Sequence, residues 1–288
     1  MILWGGYVSM SGAGDGCGDS WPLCGELLAD SGPTSPGDTL VEFTHRATSG
    51  LALVAVVALA VWSRRRFPAG HRARHWAAAS LLFMVIESLL GAALVVFQWV
   101  DMNVSLARAV VQPVHLTNTY LLMGSLAFAA WTAGPGGTRS GPGHPDRRLV
   151  AWALVLLVAI SALGTTASLA STVFPSESFL DGVRSDFTRN AHYLIRLRVW
   201  HPVLALGFGG YLFWLGRRLA AHPPGAPIAF HVVTGVYAAD LAVGGLDAVL
   251  LAPIGLQMAH LLLAHVLWLS LLWLWLAPAP DPADPSFA

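Results

Sequence analysis

The chain has 288 residues, 55% hydrophobic and 11% charged, with 16 basic and 16 acidic side chains and a formal net charge of zero. A mean hydropathy of +0.61 over such a length excludes a soluble globular enzyme, and the neutral balance offers nucleic acid no basic footprint. What remains is an all-α polytopic membrane bundle.

In chain order, Met1 to Gly12 is apolar but supplies only about half of the roughly 20 residues a spanning helix needs. The first helix therefore reads as truncated, and an upstream extension of roughly 10 apolar residues is expected. A Gly- and Cys-rich loop, 11–38, follows and carries both cysteines, Cys17 and Cys24, on either side of Trp21-Pro22. Seven apolar runs then predict complete helices near 41–63, 76–97, 109–131, 149–168, 199–216, 227–248 and 255–276.

Arginine placement orients them. Arg64, Arg65, Arg66, Arg72 and Arg74 crowd one loop, Arg139, Arg147 and Arg148 another, and Arg217 and Arg218 a third. By the positive-inside rule these face the cytoplasm. The Cys loop, 98–108 and 169–198 then face outward. In that oxidising setting a Cys17–Cys24 disulfide is expected, with stapling of the loop and a redox or gating role both open.

Glu42, His45 and Arg46 share one helical face at the start of the second span. Ionisable groups inside membrane helices are costly and mark function by default. A polar residue also stands three before a histidine at Gln112–His115, Arg198–His201 and Gln257–His260. His45, His115, His201 and His260 lie roughly 16–19 residues from the cytoplasmic ends of their helices, about 24–29 Å at about 1.5 Å per residue. They form one layer on four helices running the same way.

Glu87-Ser-Leu-Leu-Gly91 and Asp240-Leu-Ala-Val-Gly244 occupy matching places in the intervening spans. The chain thus divides into two parallel-repeated four-helix halves, 1–131 and 149–276, joined by a cytoplasmic linker, 132–148, and followed by a cytoplasmic tail, 277–288. Two histidines per half at equal depth suit one iron between two imidazoles inside a bundle. Hydrogen bonding between helices is the plainer reading of any one of them. Zinc is disfavoured, since no half offers a third ligand at suitable spacing apart from Glu42. Arg196 and Arg198, at the outer surface before His201, suit carboxylates such as haem propionates, or lipid headgroups.

The segment Gly5-Gly6-Tyr7-Val8, Ser11-Gly12-Ala13-Gly14, Cys17 through Trp21-Pro22-Leu23-Cys24 and Glu42-x-x-His45-Arg46 resembles the haem A synthase family. So do Gln112-Pro-Val-His115-Leu, Phe174-Pro175-Ser176, Arg196-Leu-Arg198-Val-Trp-His201-Pro202 and Leu251-Ala252-Pro253 before Gln257-x-x-His260. The resemblance implies an eight-helix enzyme of the bacterial plasma membrane that oxidises a ring methyl of haem O to the formyl group of haem A by two successive hydroxylations. It implies a resident haem b held by His201 and His260, and a substrate site with His45 and His115 beside the iron and Glu42 essential to the chemistry. A haem O synthase and the cytochrome oxidase assembly pathway follow as partners, with an unidentified electron acceptor and a homo-oligomer as further expectations. The sequence departs from the family's pattern in its short first helix, at Asp247 and at His265. A di-haem b electron carrier linked to quinol is one competing reading and has no need of Glu42 or the cysteine pair; a non-catalytic haem carrier, which needs at least one weakly held haem, is another.

Overall fold

The computed structural model describes residues 1–18, 20–22, 24, 35–134, 146–221 and 228–276. The centre of the 132–148 linker and the 277–288 tail lie outside the described residues. Among those described the backbone is helical, with no strand: α1 (Ile2–Ser11), a single 3₁₀ turn (Ala13–Asp15), α2 (Pro36–Arg66), α3 (Arg72–Val96), α4 (Leu106–Ala133), α5 (Arg147–Val173), α6 (Phe179–Asp186), α7 (Tyr193–Arg198), α8 (Trp200–Ala220), α9 (Ile228–Val249) and α10 (Ile254–Leu276).

All seven predicted long helices are present, and their ends follow capping chemistry that hydropathy does not register. Helix α2 starts early, at Pro36, because Ser35 accepts a hydrogen bond from Asp38 N and proline fits the first turn. Ser105 caps α4 in the same way through Arg108 N. The stretch 169–198, expected as a loop, is mostly helical. Helix α5 runs on to Val173, and α6 and α7 follow, α6 capped by Ser178 on Asp181 N.

Five helices, α2, α3, α5, α9 and α10, are long and apolar enough to cross a membrane. The chain is a multi-pass integral membrane protein. Helices α4 and α8, with 28 and 21 residues, have the length to span. Their apolar content is diluted, in α4 by Gln112, His115, Asn118 and Thr119 and in α8 by glycines and the Arg217–Arg218 pair. Large apolar side chains such as Leu51, Val54, Leu82, Leu89 and Phe213 point outward, as a lipid-facing surface requires.

Among the described residues three packed cores hold the bundle, the smallest around Leu169, Ala170 and Leu194. The largest joins Tyr120 of α4 to Leu157, Leu212, Val233, Leu267 and Leu271 of α5, α8, α9 and α10. A smaller one joins Val56, Met84 and Leu122 of α2, α3 and α4. Helix α4 takes part in these last two, so it fixes the spacing between the two sets of helices. Inside a membrane such contacts act by close packing, since lipid is as apolar as the core.

Candidate functional site

Helices α1 to α10 line one open cavity of about 1130 Å³. His45, His115, His201 and His260 all line it, together with Glu42, Glu87, Asp240 and Asp247. The tertiary structure therefore gathers the four predicted histidines around a single space.

One inter-helix arrangement occurs twice in that wall. Gln112 of α4 donates to Ser9 Oγ of α1 at 2.9 Å, and Ser168 Oγ of α5 donates to Gln257 Oε1 of α10 at 2.7 Å. These bonds tie the helix carrying the second histidine of each half to the helix that opens that half. Glycines make room for the rings. A Cβ at Gly5 would stand 2.9 Å from the His45 ring, one at Gly164 2.9 Å from His201, and one at Gly244 2.8 Å from His260. No side chain fits at those distances, so each imidazole lies directly on a neighbouring helix backbone.

The ring nitrogens are then assigned by their partners. His201 Nδ1 is 3.0 Å from the carbonyl oxygen of Ile160, and His260 Nδ1 is 3.2 Å from that of Asp240 and 2.8 Å from its Oδ1. Carbonyl and carboxylate oxygens only accept, so Nδ1 carries the proton in both rings and Nε2 keeps its lone pair. His115 Nδ1 is 3.4 Å from Glu87 Oε2, an ion-pair distance without hydrogen-bond alignment. His45 Nδ1 is buried without a hydrogen-bond partner among the described residues.

This donor set fits a metal-centred group. Two imidazoles across one metal, each nitrogen about 2 Å from it, hold their ring centroids about 6 Å apart. His201 and His260 stand at 5.9 Å, with ring planes 73° apart.

Glu42 is 2% exposed and occupies a different setting. Its Oε1 accepts from Arg46 Nε at 3.0 Å, with a second, short contact to Nη2, and its Oε2 accepts Cys17 N–H at 2.8 Å. Arg46 also donates to the Ser20 carbonyl. The carboxylate thus ties α2 to the cysteine loop. That loop approaches closely because residue 16 is glycine: a Cβ there would stand 2.4 Å from the Asp38 backbone, and Thr39 Oγ1 donates to Gly16 O at 2.6 Å. Cys17 and Cys24 are disulfide-bonded, with Cα atoms 4.8 Å apart. Asp15, in the same loop, has its carboxyl raised above the ordinary 3.8 by burial first and Asp101 second. Its contribution to stability is therefore full below 3.8 and is lost as pH rises through the raised value.

The two arginines part company. Arg198 is held by Asp186 at 2.7 Å, the Gly182 carbonyl at 2.9 Å and Ser185 Oγ at 3.1 Å, all in α6. Arg196 lies exposed on α7. His265 packs, its ring 4.9 Å from that of Tyr120 and its Nδ1 2.7 Å from the Leu261 carbonyl. Sequence reasoning saw Glu87 and Asp240 as marks of a repeat without giving them a role. Their spacing was the signal, since each stands four residues before a glycine on the helix packed against a histidine. Gly164 and Asp186 left no comparable trace, and Gly5 figured only in the family motif.

The sequence pattern of the COX15-CtaA family, described as cytochrome oxidase assembly protein, matches residues 1–272. The chain is 43% identical over 274 residues to a Thermus thermophilus protein named protohaem IX farnesyltransferase, an alignment covering 93% of this chain and 44% of that protein. It is 37% identical over 108 residues to the haem A synthase of Exiguobacterium sibiricum, covering 37% of this chain and 35% of that one. With the haem A synthase of Staphylococcus haemolyticus it shares 40% identity over 97 residues, 33% of this chain and 31% of that one. The chain spans less than half the length of these curated relatives.

Proposed function

The chain belongs to the COX15-CtaA family of cytochrome oxidase assembly proteins, and from that premise we propose that it is a membrane haem A synthase. It oxidises a ring methyl of haem O to the formyl group of haem A by two successive hydroxylations, each adding an oxygen from water and passing two electrons and two protons to an acceptor outside the chain, the second giving a gem-diol that loses water. The observation that carries this reading is the single cavity lined by two histidine pairs, two of whose rings keep Nε2 free for iron.

In this reading the chain divides functionally. His201 and His260, in the half 149–276, would hold a resident haem b. His45 and His115, in the half 1–131, flank the iron of the substrate, haem O. A haem bound at His201 and His260 supplies one-electron chemistry. The chain's own residues do the rest. The glycine-backed histidines fix orientation, the apolar helix walls exclude water, and Glu42, held at a fixed place by Arg46 and Cys17 N–H, takes a proton or stabilises developing positive charge as the methyl is oxidised. Arg198 lines the cavity and would share its guanidinium between Asp186 and a propionate, whereas Arg196 lies exposed on α7 and is absent from the cavity lining.

The names of the relatives support the substrate and the partner. Two are haem A synthases, and the Thermus protein is named for farnesyl transfer to protohaem, the step that must precede. A haem O synthase is accordingly the proposed partner, and the chain aligns with 44% of the protein named for that transfer.

The test is pigment extraction from cells expressing this chain with a haem O synthase, followed by chromatography and mass measurement. Haem A is expected only when both are present. Recovery of haem O alone, with a bound haem b spectrum, would turn the reading to electron transfer.

A further inference from the structure

The mechanism above uses the histidines and leaves two buried carboxylates unassigned. Asp240 is 8% exposed and Glu87 7% exposed. A carboxylate inside a membrane helix is expensive, and it persists where a specific partner holds it. Each has one. Asp240 Oδ1 lies 2.8 Å from His260 Nδ1, whereas Glu87 is held by hydrogen bonds from Asn118 Nδ2, at 2.6 Å, and Thr119 Oγ1, with His115 Nδ1 farther off at 3.4 Å. The other histidine of each pair has no carboxylate at its ring nitrogen. His201 meets the Ile160 carbonyl, and His45 Nδ1 has no hydrogen-bond partner among the described residues.

We infer that Asp240 is a positioning residue that sets the electron affinity of the haem held by His260. The inference rests on the haem reading of the site and adds to it a residue that touches neither iron nor substrate. Two features separate this role from mere packing. First, the Asp240 main-chain carbonyl accepts from His260 Nδ1, at 3.2 Å, while Oδ1 stands at ion-pair distance without hydrogen-bond alignment, so ring orientation and tautomer do not depend on the side chain. The carboxylate is left to act by its charge. Second, a negative charge on the Nδ1–H side draws the proton away from the ring and makes Nε2 a stronger donor. That favours the ferric state and holds the potential down, since hydrogen bonding around an axial ligand is one of the levers a protein has on haem potential.

Removing the charge should therefore move the potential in the positive direction while the ligands stay in place. The experiment is a redox titration of the purified full-length protein, comparing wild type with Asp240→Ala and Asp240→Asn. Expected are a low-spin spectrum in all three, a midpoint shifted positive in Asp240→Ala and less so in Asp240→Asn, and haem affinity lower by roughly 10–100-fold. If Asp240→Ala does not fold, the Asp240→Asn midpoint decides. An unchanged midpoint in a variant that keeps its haem overturns the inference and leaves the haem reading standing. A wild-type protein that binds no low-spin haem overturns both.

Discussion

Glu42 stands where three constraints meet: one turn before His45, in contact with Arg46, and beneath the cysteine loop through Cys17 N–H. Its place on the helix was legible from spacing alone, because residues three and four apart share a face. Its bond to Cys17 was not, because 25 residues separate the two and only the folded loop brings them together. Glu42→Gln keeps an acceptor for the Cys17 amide and loses the charge opposite Arg46, at a cost of about 1.5–3 kcal/mol for a charge-assisted bond. The variant should fold and keep haem b at His201 and His260, while haem O or its hydroxylated form accumulates in extracted pigment. Near-normal haem A from it would reduce Glu42 to a structural tie.

Among the elements, the paired helices define the site through glycines that carry no chemistry themselves. Gly164 of α5 lets His201 of α8 rest on its backbone. Gly164→Leu should displace the ring and abolish the low-spin haem spectrum. Gly210→Ala on the exposed side of α8, where a Cβ meets nothing within 4 Å, should leave the spectrum intact and stabilise the helix by up to about 1 kcal/mol. Equal spectra from the two variants would remove the glycine notch from the account. The existence of α2, α3, α4, α5, α8, α9 and α10 was plain in the apolar runs. Helices α6 and α7 were not, because short polar helices rest on caps such as Ser178 and on contacts such as Asp186 with Arg198.

At the scale of the molecule, one cavity contains both histidine pairs, yet the two halves are proposed to hold different haems. That division is separable by mutation. His201→Ala or His260→Ala should abolish the bis-histidine signal of the purified protein. His45→Ala should spare it and stop haem A formation. Loss of the resident haem from His45→Ala alone would exchange the roles of the halves. The measurement is an absorption and EPR spectrum of each variant beside its extracted pigment.

Membrane class, the seven long helices and the fourfold histidine pattern were determined by the sequence itself. Each depends on composition and on a helical period that any local window contains. Pairing was decided only by the tertiary structure. Which carboxylate faces which imidazole, which glycine backs which ring, and that Arg198 is held by Asp186 all depend on how separate helices cross. The spacing of residues along one helix does not specify its rotation against the next. Close packing between helices sets that rotation, and it exists only once the chain has folded.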